Sequence, residues 1–142
     1  MSIKPPMRPF TLTTNEESPA EYVVLGGNHV GEAVASRLHA SGHDVVVVTD
    51  APTATDLRTM AGDPTDLSTL SALGLSDAAT VLVATNSDAR NLLVAQLVRT
   101  QFDVPRTVVL TNDPEQMDAV KAAGHEPICA TSAIADALVE DV

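Results

Sequence analysis

The apolar positions of this chain fall into short runs that alternate with amphipathic stretches. Tyr22, Val23, Val24 and Leu25 form one continuous run and Val45 to Val48 a β-branched one, the pattern of parallel strands covered on both faces. Between them Val30, Ala33, Val34 and Leu38 recur at helical spacing, and Ser41-Gly42 supplies a stop signal. The stretch from Tyr22 to Asp50 therefore reads as a strand, a glycine turn, a helix to about Ala40 and a second strand.

The same alternation continues to the end of the chain. Ala51 to Thr55 reads as a turn and Leu57 to Met60 as a short strand. In Gly62-Asp63-Pro64-Thr65-Asp66, Asp63 suits an N-cap and Pro64 the first helical position, for a helix to about Leu73 ended by Gly74. Thr80 to Ala84 is a fourth strand. Thr85-Asn86-Ser87-Asp88 caps a helix from about Ala89 to Thr100, and Val108 to Leu110 is a fifth strand. Asp113-Pro114-Glu115-Gln116 has the cap, proline and capping-box order of a helix start, and Gly124 ends that helix. Pro127 to Ala130 makes a sixth strand. Thr131-Ser132 opens a last helix on which Ile134, Leu138 and Val142 lie four apart. This order predicts an α/β fold, a Rossmann-like doubly wound parallel sheet of about six strands in the order 3-2-1-4-5-6. Residues 20–142 form this domain. Residues 1–19, with Pro5, Pro6, Pro9 and Pro19 and no sustained period, are expected to be a flexible arm.

Candidate chemistry sits in the first turn, Gly26-Gly27-Asn28-His29-Val30-Gly31. Gly26 suits the tight turn after the strand and Gly31 a close approach of helix to sheet, while the helix start offers free N–H groups and a positive dipole end to a phosphate. Asn28 stands where G-x-G-x-x-G has its second glycine, the one that lets backbone approach a pyrophosphate. Glycines between a strand and a helix also serve the turn alone, so the motif is weak by itself. Thr49-Asp50 closes the second strand. An acid there is placed to accept hydrogen bonds from an adenosine ribose, the alternative being a loop acid beside Ala51-Pro52.

Charge narrows the class of partner. With 8 Lys+Arg against 19 Asp+Glu the formal charge is −11, and no basic cluster occurs. Nucleic acid, whose affinity rests on clustered Lys and Arg, is excluded as a partner. The acidic, Lys-poor composition suits either a host with high intracellular salt or a merely acidic protein. No stretch approaches the ~20 apolar residues of a membrane helix and the start lacks a secretory core, so direct membrane insertion is not expected and a cytoplasmic location is. Cys129 in Ile128-Cys129-Ala130 has no partner for an internal disulfide and reads as a small buried hydrophobe. His39 and His43 straddle the helix stop and read as solvated side chains, so no metal site is expected.

Three stretches together resemble one family. Val24-Leu25-Gly26 with Val30-Gly31, then Gly62-Asp63-Pro64-Thr65-Asp66 followed by Leu70 and Leu73-Gly74-Leu75, then Val83-Ala84-Thr85-Asn86-Ser87-Asp88 leading to Asn91-Leu92 are similar to the N-terminal domain of RCK proteins, also called KTN or TrkA-N type potassium-transport regulators. The resemblance runs from about Tyr22 to the end of the chain. It implies binding of NAD(H) or of AMP, ADP or ATP at the carboxyl ends of the strands. It also implies regulation of a potassium channel or transporter membrane subunit, and association as a dimer or ring. By position it carries over Gly26 and Gly31 at the phosphate turn, with His29 beside them, within a cofactor site read from the turn as Gly26, Gly27, Asn28, His29, Val30 and Gly31. Thr49 and Asp50 fall at the ribose, with Gly62, Asp63, Thr85 and Asp88 as further lining groups. The family's ribose acid falls on Thr49 by residue count, with Asp50 one step later.

The leading reading is thus a nucleotide-binding regulatory module rather than an enzyme. No serine has a nucleophile-elbow context, and no Ser, His and Asp arrangement follows from spacing. Two other readings stand beside it: a small NAD(P)-dependent oxidoreductase, and a scaffold domain with an empty site that serves dimerisation. The apolar stripe of the last helix points to a homodimer, unless that stripe packs on its own sheet.

Overall fold

A computed structural model describes residues 20–26, 29–50, 57–75, 78 and 80–141. The expected N-terminal arm, the turn residues Gly27 and Asn28, the turn at Ala51 to Thr55, and Val142 lie outside the described residues.

The strands are β1 (Tyr22–Leu25), β2 (Val45–Thr49), β3 (Arg58–Ala61), β4 (Thr80–Val83), β5 (Arg106–Thr111) and β6 (Glu126–Cys129). They form one sheet in the order β3-β2-β1-β4-β5-β6, and every neighbouring pair is parallel. The order is the one the alternation of elements predicts. Among the described residues four α-helices lie between strands, α1 (His29–Ala40), α2 (Leu67–Ser71), α3 (Asp88–Gln101) and α4 (Met117–Ala122), and α5 (Ala130–Glu140) follows β6.

Alternation along the central strands divides the core in two. Val23, Leu25, Val46, Val48, Val81 and Val83 pack with Leu70 of α2, Val94, Ala95 and Val98 of α3 and Val120 of α4. Val24, Val45 and Val47 face the other way and pack with Ala35 and Leu38 of α1. The continuous apolar runs of β1 and β2 are therefore required, because each strand is covered on both faces. Burying one such Val or Leu stabilises the fold by about 1.5–3 kcal/mol.

Four local expectations are corrected. The helix after β3 starts at Leu67, and its N-cap is Asp66, whose carboxylate accepts from the Ser68 N–H. Asp63 does not cap it, because its own Oδ1 is engaged two residues on by the Thr65 N–H at 2.9 Å and the Thr65 hydroxyl at 2.8 Å. Such an Asx turn competes with helix entry at Pro64. The last helix begins at Ala130 with Cys129 in the N-cap position, ahead of Thr131-Ser132. Cys129 is half-buried rather than enclosed, since β6 is an edge strand, and hydrogen bonds from the Ser132 N–H and hydroxyl lower its thiol pKa. His43 is not merely solvated: its Nδ1 lies 3.0 Å from Glu21 Oε1, and its ring meets Tyr22 edge-on at 5.1 Å.

The described residues of the α5 stripe do not pack on their own sheet. Ile134 is 61% exposed and Leu138 63%.

Candidate functional site

In a doubly wound sheet, ligands bind beyond the carboxyl ends of the strands where the chain reverses direction across the sheet. Here that switch point lies between β1 and β4. Leu25 pairs with Val48 on one side and Val83 on the other, so the residues after these strands, Gly26, Asp50 and Ala84-Thr85, converge on one edge.

Gly26 turns the chain out of β1 with φ +110° while its N–H donates to the Val48 carbonyl at 2.9 Å. A Cβ on Gly26 would stand 2.8 Å from Thr85 Cγ2 and 3.0 Å from the Ala84 carbonyl carbon. A Cβ on Gly31 would stand 2.0 Å from the Gly26 carbonyl oxygen. Only glycine permits the first turn of α1 to come this close to the end of β1. The helix N-terminus, with its partial positive charge, is thereby held at the switch point. His29 and Val30 in that first turn are exposed, whereas Gly31 is buried.

The other sequence-derived candidates take different roles. Thr49 is buried and its carbonyl accepts from the Gly62 N–H at 2.9 Å, whereas Asp50 is exposed at the end of β2. Of the two, Asp50 presents the carboxylate to solvent. Gly62 lies against α2, where a Cβ would meet Thr69 Cγ2 at 2.8 Å. Asp63 accepts from Thr65 and also from Arg90 Nη2 at 2.9 Å. Its pKa is lowered first by the Thr65 N–H and then by the Thr65 hydroxyl; burial opposes them, and Arg90 adds a smaller lowering.

Asp88, at the start of α3, reaches across to the loop after β5. Its Oδ1 accepts from the Asn112 N–H at 2.8 Å and Nδ2 at 3.0 Å, and its Oδ2 from the Asp113 N–H at 2.8 Å. Burial alone would raise its pKa, but those hydrogen bonds together prevail and lower it.

The motif ending in Asn91-Leu92 does not by itself reveal what Asn91 does. Asn91 is fully buried. Its Oδ1 accepts from the Thr85 N–H at 2.9 Å and the Thr85 hydroxyl at 2.5 Å, and its Nδ2 donates to the Thr85 carbonyl at 3.0 Å and the Leu110 carbonyl at 2.9 Å. All the hydrogen-bonding capacity of the amide is thus used to fix the ends of β4 and β5. Thr85 in turn forms the wall against which Gly26 packs. An asparagine shortly after an N-cap serine was the available signal, since a polar residue on the buried side of a helix demands partners.

A second buried polar group lies on the opposite edge. His125 is 5% exposed, with Nε2 3.1 Å from Gln96 Oε1 and Nδ1 buried without a partner. Burial first, and the nearby Arg99 guanidinium second, lower its pKa. The folded chain therefore favours the neutral ring. Its contribution is complete above the ordinary histidine value of about 6.5 and declines as pH falls toward the lower folded value. The urea midpoint is expected to drop on acidification from pH 7 through this window, and His125→Gln is expected to flatten that drop. An unchanged pH profile in His125→Gln would contradict the assignment.

Comparison with known proteins agrees with this fold. Residues 22–134 match the TrkA-N domain family. This chain belongs to the TrkA-N domain family. The match covers all six strands and the first part of α5. The TrkA-N chain is 30% identical over 113 residues to a Trk system potassium uptake protein TrkA homologue of Methanothermobacter thermautotrophicus, covering 75% of this chain and 52% of that protein. It thus spans about half the length of that relative. Among solved structures, GsuK bound to ADP shares 26% identity at a TM-score of 0.74, over 82% of this chain and 32% of that one. The NAD(P)-binding domain of an exopolyphosphatase-related protein from Archaeoglobus fulgidus shares the fold, at a TM-score of 0.78 and 24% identity over 86% of this chain and 96% of that one.

Among the described residues, no helix is long and apolar enough to cross a membrane and no cluster of three or more His, Cys, Asp or Glu could hold a metal ion.

Proposed function

We propose that this TrkA-N domain is a nucleotide-binding regulatory module that binds an adenine nucleotide or NAD(H) at the β1–β4 switch point and controls potassium transport through a partner channel or transporter subunit. The observation that carries the reading is the contact between Gly31 and Gly26. Their missing side chains bring the N-terminus of α1 against the end of β1, which makes a seat for phosphate from backbone N–H groups and the helix dipole. The exposed Asp50 carboxylate at the end of β2 is the acceptor for ribose hydroxyls. ADP in GsuK and potassium uptake in the TrkA relative support the ligand class and the process.

The chain's own residues supply binding and orientation. The end of β4, fixed by Asn91, is the far wall of the crevice, and the site acts by favouring one arrangement of the module and its partner. The exposed Ile134 and Leu138 of α5 favour a homodimer as the working assembly, on the cytoplasmic side of the membrane.

Calorimetric titration with AMP, ADP, ATP, NAD and NADH tests this reading. Binding without turnover of any carbonyl substrate is the expected result. Cofactor turnover would replace the regulator with a small oxidoreductase, and the absence of binding at millimolar nucleotide would replace it with a scaffold domain.

A further inference from the structure

We propose that Arg90 reads the phosphate charge of the bound nucleotide, with Asp63 as the carboxylate that holds its guanidinium in place and yields it to the ligand. The inference deepens the nucleotide reading above and rests on it. Asp63 follows β3, and Arg90 lies in the first turn of α3, which follows β4. In the sheet order β3-β2-β1-β4 the ends of β2 and β1 lie between them. The 2.9 Å bond from Arg90 Nη2 to Asp63 Oδ1 therefore lies on the same carboxyl side of the sheet as Gly26 and Asp50.

Charge makes this position distinctive. Among the described residues the other Lys and Arg side chains belong to the opposite edge. Arg37, Arg99 and Lys121 sit in the last turns of α1, α3 and α4, whereas Arg58 and Arg106 begin β3 and β5. Arg58 is also paired with Asp44 and Arg106 with Glu126. In a chain of net charge −11, Arg90 is thus the described Lys or Arg that a phosphate meets at the carboxyl edge.

The pair is built to exchange. The Arg90 and Asp63 side chains are 42% and 50% exposed, and an ion pair in that setting contributes little to stability. Asp63 keeps two further hydrogen bonds, both from Thr65, so it stays satisfied when the guanidinium leaves. A phosphate offers Arg a bidentate, charge-assisted contact in exchange for a single bond to one carboxylate oxygen.

Titration of the whole chain with adenosine, AMP and ATP decides the matter, using Arg90→Gln and Asp63→Asn beside wild type and urea midpoints as a control of folding. Arg90→Gln is expected to weaken ATP by about tenfold, the usual consequence of losing a hydrogen bond between charged groups, and to leave adenosine unchanged. Asp63→Asn keeps an acceptor for Thr65 but removes the competing charge, so it is expected to tighten ATP. Equal weakening of adenosine and ATP in Arg90→Gln, or weaker ATP binding in Asp63→Asn, would overturn the role of Arg90 while leaving the nucleotide site intact. A wild type that binds none of the three would overturn the site itself, and Arg90's role with it.

Discussion

Gly31→Ala is expected to abolish nucleotide binding and to lower stability by about 3 kcal/mol, the upper range for overpacking a closed site. The new Cβ would stand 2.0 Å from the Gly26 carbonyl oxygen, and that oxygen cannot turn aside as a flexible side chain could. Relief requires the first turn of α1 to move away from β1. That movement opens the packing of Ala35 and Leu38 on Val24, Val45 and Val47 and takes the helix N-terminus off the switch point. Gly42→Ala provides the contrast. A Cβ there meets nothing within 4 Å and only the φ of +92° is strained, so its expected cost is about 1–2 kcal/mol, with binding retained. Urea denaturation and calorimetry on the two variants check both halves. Wild-type binding in Gly31→Ala would refute the close-approach argument.

Asn91→Ala is the second large effect, expected to cost about 3 kcal/mol. The Thr85 N–H, hydroxyl and carbonyl and the Leu110 carbonyl all lose their side-chain amide partner, and a buried polar group left unsatisfied costs about 1–3 kcal/mol. The same loss frees Thr85, so nucleotide affinity is expected to fall along with stability. Asn91→Asp keeps an acceptor for the Thr85 N–H and hydroxyl but turns an oxygen toward two carbonyls, and is expected to fare no better near neutral pH. Thermal melts together with calorimetry check the pair. A loss below about 1 kcal/mol in both variants would show that the amide is not the clamp described.

The parts of the fold that were legible in the sequence were those decided locally. The β-branched run Val45 to Val48 and the helical spacing of Val30, Val34 and Leu38 set strand and helix without distant partners. Gly31 was legible as a candidate for close approach because it opens an otherwise ordinary helix, although a glycine there also serves the turn alone. The cap at Asp63 misled because two aspartates, Asp63 and Asp66, flank Pro64-Thr65. The choice between them rests on Thr65 closing onto the first, which composition does not reveal. The clamp by Asn91 and the Arg90 to Asp63 bond depend on strand order. The first reaches Leu110, 19 residues on, and the second joins residues 27 apart. Neither contact can be read from spacing, although the sheet order that creates both could be.

An adenine nucleotide is expected to sit between the end of β1 and the end of β4. Amide chemical-shift mapping during titration with ADP tests it most directly. A competing location among the described residues is the cleft of about 540 Å³ between α3 and the segment after β5, lined by Asp88, Ala89, Leu92, Leu93, Gln96, Asp113 and Gln116. The largest shifts are expected on Gly26, His29, Val30, Gly31, Asp50 and Thr85. Shifts confined to Leu92, Leu93 and Gln96, or none at millimolar ADP, would contradict it.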